Sequence, residues 1–288
     1  DVDGRAVIDT IPVGLQPIGI AVDEASRRVY VANANSATVS VIDARSNTVI
    51  ATIPVSGQYP EGVAVAPAGG KIYVTVQSPV IAVGTVSVID PASNTETASI
   101  RVGLGPQRIV ISPDASRAYT ANFGGSVSVI NLLTNTVTST IQVPRGPIGI
   151  ALNASGSRAY LTNQLEGTLS VIDTGSNQII SVIQVGLFPR GIVINQAGNL
   201  AYVTNINSNT ISVVDIATNA VIATLAAAGS GPQGIAIDDG GIEALIANTN
   251  TNTLSVLNLL TNQFAASIPV GTSPSYVALL SSNELTPD

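Results

Sequence analysis

The chain has 288 residues, a formal net charge of −7, 45% hydrophobic and only 10% charged residues. Its 11 Lys and Arg are scattered, so no basic stripe exists to neutralise phosphates; a nucleic-acid partner is set aside, and attraction to anionic lipid is disfavoured for the same reason. The absence of Cys removes disulfides, thiolate zinc sites and cysteine nucleophiles, and the absence of His removes the commonest general base and metal ligand.

No run of about 18 apolar residues occurs, so no transmembrane helix and no membrane insertion is expected. Position 1 is Asp and the chain has no Met. The expectation is that Asp1 follows a removed secretory leader, or that it marks an arbitrary boundary.

Taken in chain order, the first element is a lone strand-like run over residues 6–13, containing Ile11-Pro-Val-Gly14. Repeat units follow over about 15–56, 57–104, 105–144, 145–186, 187–229 and 230–271, and a last run covers 274–280. The first unit shows the plan: Pro17-Ile-Gly-Ile20, Tyr30-Val-Ala-Asn33, Ser40-Val-Ile-Asp43 and Ile53-Pro-Val55. The Ser-Val-Ile-Asp-like blocks begin at Ser40, Ser87, Ser128, Ser170, Ser212 and Ser255, at spacings of 47, 41, 42, 42 and 43. Each unit reads as four short β-branched runs joined by turn residues, and no helical period competes.

The turn between the third and fourth runs recurs as Asp43-Ala-Arg-Ser-Asn47, Asp90-Pro-Ala-Ser-Asn94 and Asn131-Leu-Leu-Thr-Asn135, with further copies downstream. Its first residue can accept bonds from amides two or three residues on, and its last Asn tolerates positive φ. These recurring acids read as turn caps rather than metal ligands, since one per unit spreads them apart. No metal site and no cofactor is expected. The pairs Asp23-Glu24 and Asp238-Asp239 read as solvated turn ends, and Asn153-Ala-Ser155 is a chance-level glycosylation match.

Four-stranded units of this length predict an all-β fold, a β-propeller of antiparallel blades forming one domain over residues 1–288. The Tyr-Val-Thr-Asn block at Tyr202-Val-Thr-Asn205, with its flanking Pro189-Arg-Gly-Ile192 and Ser212-Val-Val-Asp215, resembles the YVTN family of β-propeller repeats, found in surface-layer and secreted proteins. The resemblance covers about residues 5–280 and implies that the Pro-x-Gly run lies innermost, against a central channel. Departures are Val76 for Asn, Leu245 for Tyr, Arg108 and Tyr276 for Gly, and a weak fourth run at Leu225.

The end runs 6–13 and 274–280 leave the blade number open. The first reading is seven blades with an incomplete last blade. The alternative is six blades plus extra end strands. A third is strand sharing between copies of the chain through an unpaired edge.

If the first runs line the channel, the variable positions at their starts converge on its mouth. The candidate ligand-binding residues are Glu61, Gln107, Arg108, Arg190, Gln233 and Tyr276, which could hold a polar or zwitterionic ligand, or else form a solvated charged rim. Ile18, Ile148 and Ser275 fill the equivalent places. Tyr59 and Phe188 stand in the loops just before, and Phe123 and Glu166 are expected on the same face. The loop Gln77–Gly84, carrying Pro79, Val80, Ile81 and Val83, is either a partner-contacting or a packing loop.

No catalytic residue is identified. The expected function is a non-catalytic extracellular or cell-surface scaffold, structural or binding, self-assembling through its end strands into oligomers or filaments, or contacting other surface proteins. The alternatives are a lyase- or lactonase-like propeller enzyme, or a soluble ligand-binding module using the channel mouth.

Overall fold

A computed structural model of the chain describes residues 1, 4–78 and 83–281. Its strands form six four-stranded antiparallel sheets, each a run of chain neighbours, among the described residues. Blade one holds β1 (Pro17–Asp23), β2 (Arg28–Asn33), β3 (Thr38–Asp43) and β4 (Thr48–Pro54). Blade two holds β5 (Gln58–Val65), β6 (Ile72–Gln77), β7 (Thr85–Asp90) and β8 (Thr95–Arg101). Blade three holds β9 (Pro106–Ile111), β10 (Arg117–Asn122), β11 (Ser126–Asn131) and β12 (Thr136–Gln142). Blade four holds β13 (Pro147–Leu152), β14 (Arg158–Asn163), β15 (Thr168–Asp173) and β16 (Gln178–Gln184). Blade five holds β17 (Pro189–Ile194), β18 (Leu200–Asn205), β19 (Thr210–Asp215) and β20 (Ala220–Ala226). Blade six holds β21 (Pro232–Ile237), β22 (Glu243–Asn248), β23 (Thr253–Asn258) and β24 (Gln263–Pro269). The weak run at Leu225 is therefore a genuine strand. Pro79, Val80 and Ile81 of the long loop lie outside the described residues.

Each repeated motif has a structural cause. The Pro-x-Gly start of every first strand is a bulge, as between Pro189 and Ile192 opposite Asn205 and Val203. Pro cannot donate to a ladder, and the bulge frees it from doing so. The Asn closing each second strand is fully buried and bonds two hydroxyls of the third strand. Asn205 Nδ2 donates to Thr210 Oγ1 at 3.1 Å and Ser212 Oγ at 3.0 Å. Asn33, Asn122, Asn163 and Asn248 do the same. In blade two Val76 replaces the Asn, and Ser87 Oγ is left buried without a partner.

The turn reading holds: Asn47, Asn94, Asn135, Asn177, Asn219 and Asn262 all have φ of 53–57°. Asp43 Oδ1 accepts from the amides of Arg45 and Ser46 at 2.8 and 3.0 Å, and Asp90 Oδ1 likewise from Ala92 and Ser93.

The repeated Tyr packs one blade on the next. Tyr30, Tyr119, Tyr160 and Tyr202 are fully buried, Tyr73 nearly so. Tyr119 of β10, for example, clusters with Ala159, Leu161 and Ile172 of blade four. Such apolar clusters join blades one to two, two to three, three to four, four to five and five to six. No cluster joins blade six to blade one among the described residues. Leu245, the one departure from the Tyr series, stands in the blade that no complete blade follows.

The structure thus corrects the reading of seven blades with an incomplete last one. Residues 6–13 and 274–281 carry no strand, because neither has a ladder partner; the six-blade alternative is the one observed. The C-terminal run nonetheless occupies the sector between blades six and one. The Gly234 amide donates to Ser275 O at 2.9 Å, and Thr249 Oγ1 donates to Pro274 O at 2.8 Å. Ser281 donates through its amide and hydroxyl to Glu24, and its carbonyl accepts from Arg27 at 2.7 Å. From the other end, Arg5 pairs with Glu243 of β22 at 2.7 Å. Residues 274–277 take the place of a seventh innermost strand.

First strands of successive blades touch around the channel. Three joints share one device. Thr204 Oγ1 accepts from the Gly191 amide at 2.8 Å and donates across to Gln233 O of the next blade at 2.6 Å. Thr75 links Gly62 to Gln107, and Thr162 links Gly149 to Arg190, in the same manner. Only Gly fits there: a Cβ on Gly191 would stand 2.2 Å from Gln233 O, and one on Gly149 2.0 Å from Arg190 O.

Two predictions follow from these contacts. Thr204→Val leaves the Gly191 amide and Gln233 carbonyl unpaired and should cost about 1–3 kcal/mol in urea unfolding, with Thr204→Ser restoring most of it. A Val variant as stable as the parent would refute the relay. The second concerns acid. Lys71, then the Ser93 and Ala92 amides, hold the Asp90 carboxyl at about 2, below its usual 3.8. A lowered folded value contributes stability above the usual carboxylate range that is lost as pH falls through it. The urea midpoint should fall between about pH 4 and pH 2, less steeply in Asp90→Asn.

Candidate channel-mouth site

The site grows out of the joints. Glu61 precedes Gly62, whose amide bonds Thr75. Arg108 follows Gln107, whose carbonyl accepts from Thr75 at 2.7 Å. Arg190 offers its carbonyl to Thr162, and its successor Gly191 bonds Thr204. Tyr276 follows Ser275, held by Gly234. Each side chain therefore springs from a main-chain point already fixed between two blades.

Four of the six sequence candidates converge. The Arg108 guanidinium carbon lies 3.1 Å from the centroid of the Tyr276 ring, a cation over an aromatic face. Arg190 Nε donates to Tyr276 Oη at 3.3 Å. Glu61 feels both arginines: burial pushes its carboxyl above the usual value, and the Arg108 and Arg190 charges only partly offset this. For Tyr276, burial pushes the phenol up, but the two arginine charges and their hydrogen bonds outweigh it and hold it below the usual value. Gln107 and Gln233, the other two candidates, contribute main-chain carbonyls to the joints.

The local sequence explains why a long side chain fits at Arg108. Its position is Gly in most first strands, beneath the joint Thr of the second strand. In blade three the joint residue is Ala121 rather than Thr, which leaves room beside Arg108; Ala32 and Ala247 stand there in blades one and six, which keep Gly19 and Gly234. Tyr276 takes the Gly position of the seventh innermost run.

The charges do not balance. Two guanidiniums face one carboxylate, and Glu61 forms none of the ion pairs found among the described residues. Arg108 Nη2 is buried without a hydrogen-bond partner. A cavity of about 150 Å³ opens here, lined by Arg108, Arg190 and Tyr276 above Ile109, Ile150, Ile192 and Ile235. Two guanidiniums, one with an unpartnered nitrogen, beside a concave site suit a carboxylate or similar oxyanion.

The rim carries the loops expected there. Tyr59 and Phe188, exposed, both sit at positive φ, 53° and 55°, just before a first-strand Pro. The Phe123 amide bonds Gly105 O, and Glu166 pairs with Arg145 at 3.1 Å, so both loops border the starts of the first strands. No group of three or more His, Cys, Asp or Glu able to hold a metal occurs among the described residues. No helix among them is long and apolar enough to cross a membrane.

With this geometry in place, comparison with known proteins assigns a class. A model of the Choice-of-anchor I domain matches residues 19–230, most of the chain, and the chain belongs to that family. The description points to a surface-anchoring role and a cell-surface or secreted protein. The PE-PGRS family protein PE_PGRS18 of Mycobacterium tuberculosis (strain ATCC 25618 / H37Rv) is 56% identical over 54 residues, 19% of this chain and 11% of that protein. The chain thus spans about a tenth of that relative's length.

Two solved structures share the fold. A chain of Kuenenia stuttgartiensis hydrazine synthase superposes with a TM-score of 0.81 at 21% identity, covering 93% of this chain and 90% of that one. A functionally unknown protein from Desulfotomaculum acetoxidans DSM 771 gives 0.82 at 13% identity, covering 97% and 93%. At these identities the likeness is one of architecture. The resemblance read from the sequence stands at the level of a propeller repeat protein.

The signs of the two shifts yield a prediction. A raised folded value means that Glu61 contributes stability below the usual carboxylate range that is lost as pH rises through its folded value. Stability of the parent should decline over that rise, and Glu61→Gln should flatten the decline in a urea-midpoint series against pH. Identical profiles would show that Glu61 is not held in a desolvated state.

Proposed function

We propose that the protein is a non-catalytic binding scaffold of the cell surface or exterior, which captures a carboxylate-bearing ligand at the channel mouth. The observation that carries this is the excess of guanidinium over carboxylate: Arg108 and Arg190 against Glu61, with Arg108 Nη2 buried and unpartnered. A buried donor of this kind costs free energy until an acceptor arrives, so the site is poised for an anion.

Family membership supports a surface role, and the Tyr-Val-Thr-Asn blocks support kinship with the propellers of secreted and surface-layer proteins. The enzymatic alternative has less support. The chain has no His or Cys, and the mouth offers one carboxylate among two arginines and a phenol. Self-assembly through the end runs also has less support, since run 274–280 bonds to blade six of its own chain and Arg5, beside run 6–13, pairs with Glu243.

The test is a thermal-shift titration with a panel of small carboxylates, including acetate, pyruvate and citrate. The parent should be stabilised by at least one acid in the panel, and the Arg108→Gln/Arg190→Gln double variant should lose that response. A panel that stabilises neither protein, or both equally, would sink the reading.

A further inference from the structure

The channel beneath the two arginines is aliphatic. A second cavity, about 720 Å³, runs on from the first and shares Ile109, Ile150, Ile192, Ile235 and Val277 with it. Its wall continues through Val110, Ile111, Leu152, Val193, Ile194 and Ile237, all half-buried, before ending at Asn153, Gln196, Asp238 and Asp239. These side chains pack partly in the inter-blade clusters, and the aliphatic edges left over face a broad, open cavity where an apolar guest would cover them. One end of this space carries the two arginines and the other opens among amides and acids. A guest matching both features has an anionic head and one hydrocarbon tail.

We propose that the channel is a site for a single-chain amphiphilic carboxylate, its head on Arg108 and Arg190 and its tail along the first-strand isoleucines. This rests on the carboxylate reading of the mouth and adds the chemistry of the rest of the ligand. Charge complementarity selects the head: Arg190 is oriented by its bond to Tyr276, and Arg108 by the ring beneath it, so both present donors at fixed points. Shape selects the tail, because the repeated Pro-x-Gly-Ile motif places one aliphatic residue from each contributing blade at the same depth. The acidic pair Asp238-Asp239 at the far opening repels a second anionic head and favours one orientation.

The experiment is isothermal titration of the full chain with dodecanoate, dodecan-1-ol and acetate, each below the concentration at which it self-associates. Dodecanoate should bind at least about tenfold tighter than acetate, because each buried methylene adds to affinity. It should also bind tighter than the alcohol, and Arg108→Gln/Arg190→Gln should abolish that second advantage.

Ala236→Phe, which narrows the tube below the arginines, should weaken dodecanoate while sparing acetate. Ala278→Phe on the neighbouring end run, which also lines the cavity, gives the same reading should the first variant fail to fold. Equal binding of acetate and dodecanoate, both lost in the arginine variant, would overturn the tail site and leave the mouth reading standing. Binding of neither acid would overturn both. Dodecanol binding as tightly as dodecanoate would overturn the head-group assignment and with it the amphiphile.

Discussion

Everything in this molecule depends on how closely one first strand can lie against the next. At each joint the backbone of one blade meets the side-chain space of its neighbour, and a Cβ on Gly191 would collide with a carbonyl 2.2 Å away. At three joints a Thr hydroxyl accepts from one main-chain group and donates to the other, so both are satisfied despite the close contact. The Tyr of the same second strand then fills the wider space further out, where blades diverge. In those blades glycine, threonine and tyrosine form one joint read at three radii.

The site is the place where that joint is altered. Blade three gives up Gly for Arg108 and Thr for Ala121. The end run substitutes Tyr276 for Gly. These changes bring a cation and an aromatic ring to the channel axis, beside Arg190 and Glu61 at the variable position of intact motifs. Energetically the exchange is unfavourable to the fold, since it leaves a buried guanidinium nitrogen with no acceptor.

Much of the fold was legible in the sequence because the repeat reports on it many times. Four runs per unit and the Asp-to-Asn turn were readable from spacing and residue type, while the innermost place of Pro-x-Gly came from the resemblance. The number of blades was not readable, and the reason is physical. The seventh innermost run is a true copy: Ser273 has φ of 52° before Pro274, as Tyr59 and Phe188 have before theirs, and Ser275 receives the Gly234 amide as Gln233 receives Thr204. Counting such starts counts channel positions. A blade needs a ladder of four, and residues 274–281 have no second strand to pair with. The signal that could have decided it was Leu245: without a following blade, the space that each Tyr fills elsewhere is absent.

For the site, the resemblance put the variable starts of the first strands at the channel mouth, and four of the six candidates, Glu61, Arg108, Arg190 and Tyr276, come together there. It was not enough to find their partners or the space below them. The unpaired Arg108 nitrogen and the aliphatic tube are properties of the closed ring, and no single repeat contains them. The tube has a sequence trace all the same. The residues after each Pro-x-Gly keep an aliphatic rhythm, Ile150-Ala-Leu152, Ile192-Val-Ile194 and Ile235-Ala-Ile237, on the strand that resemblance placed innermost. These strands stay aliphatic because their residues pack alternately on the blade before and the blade after, as Leu152 and Ala151 do, and the edges left over line the space beneath the two arginines.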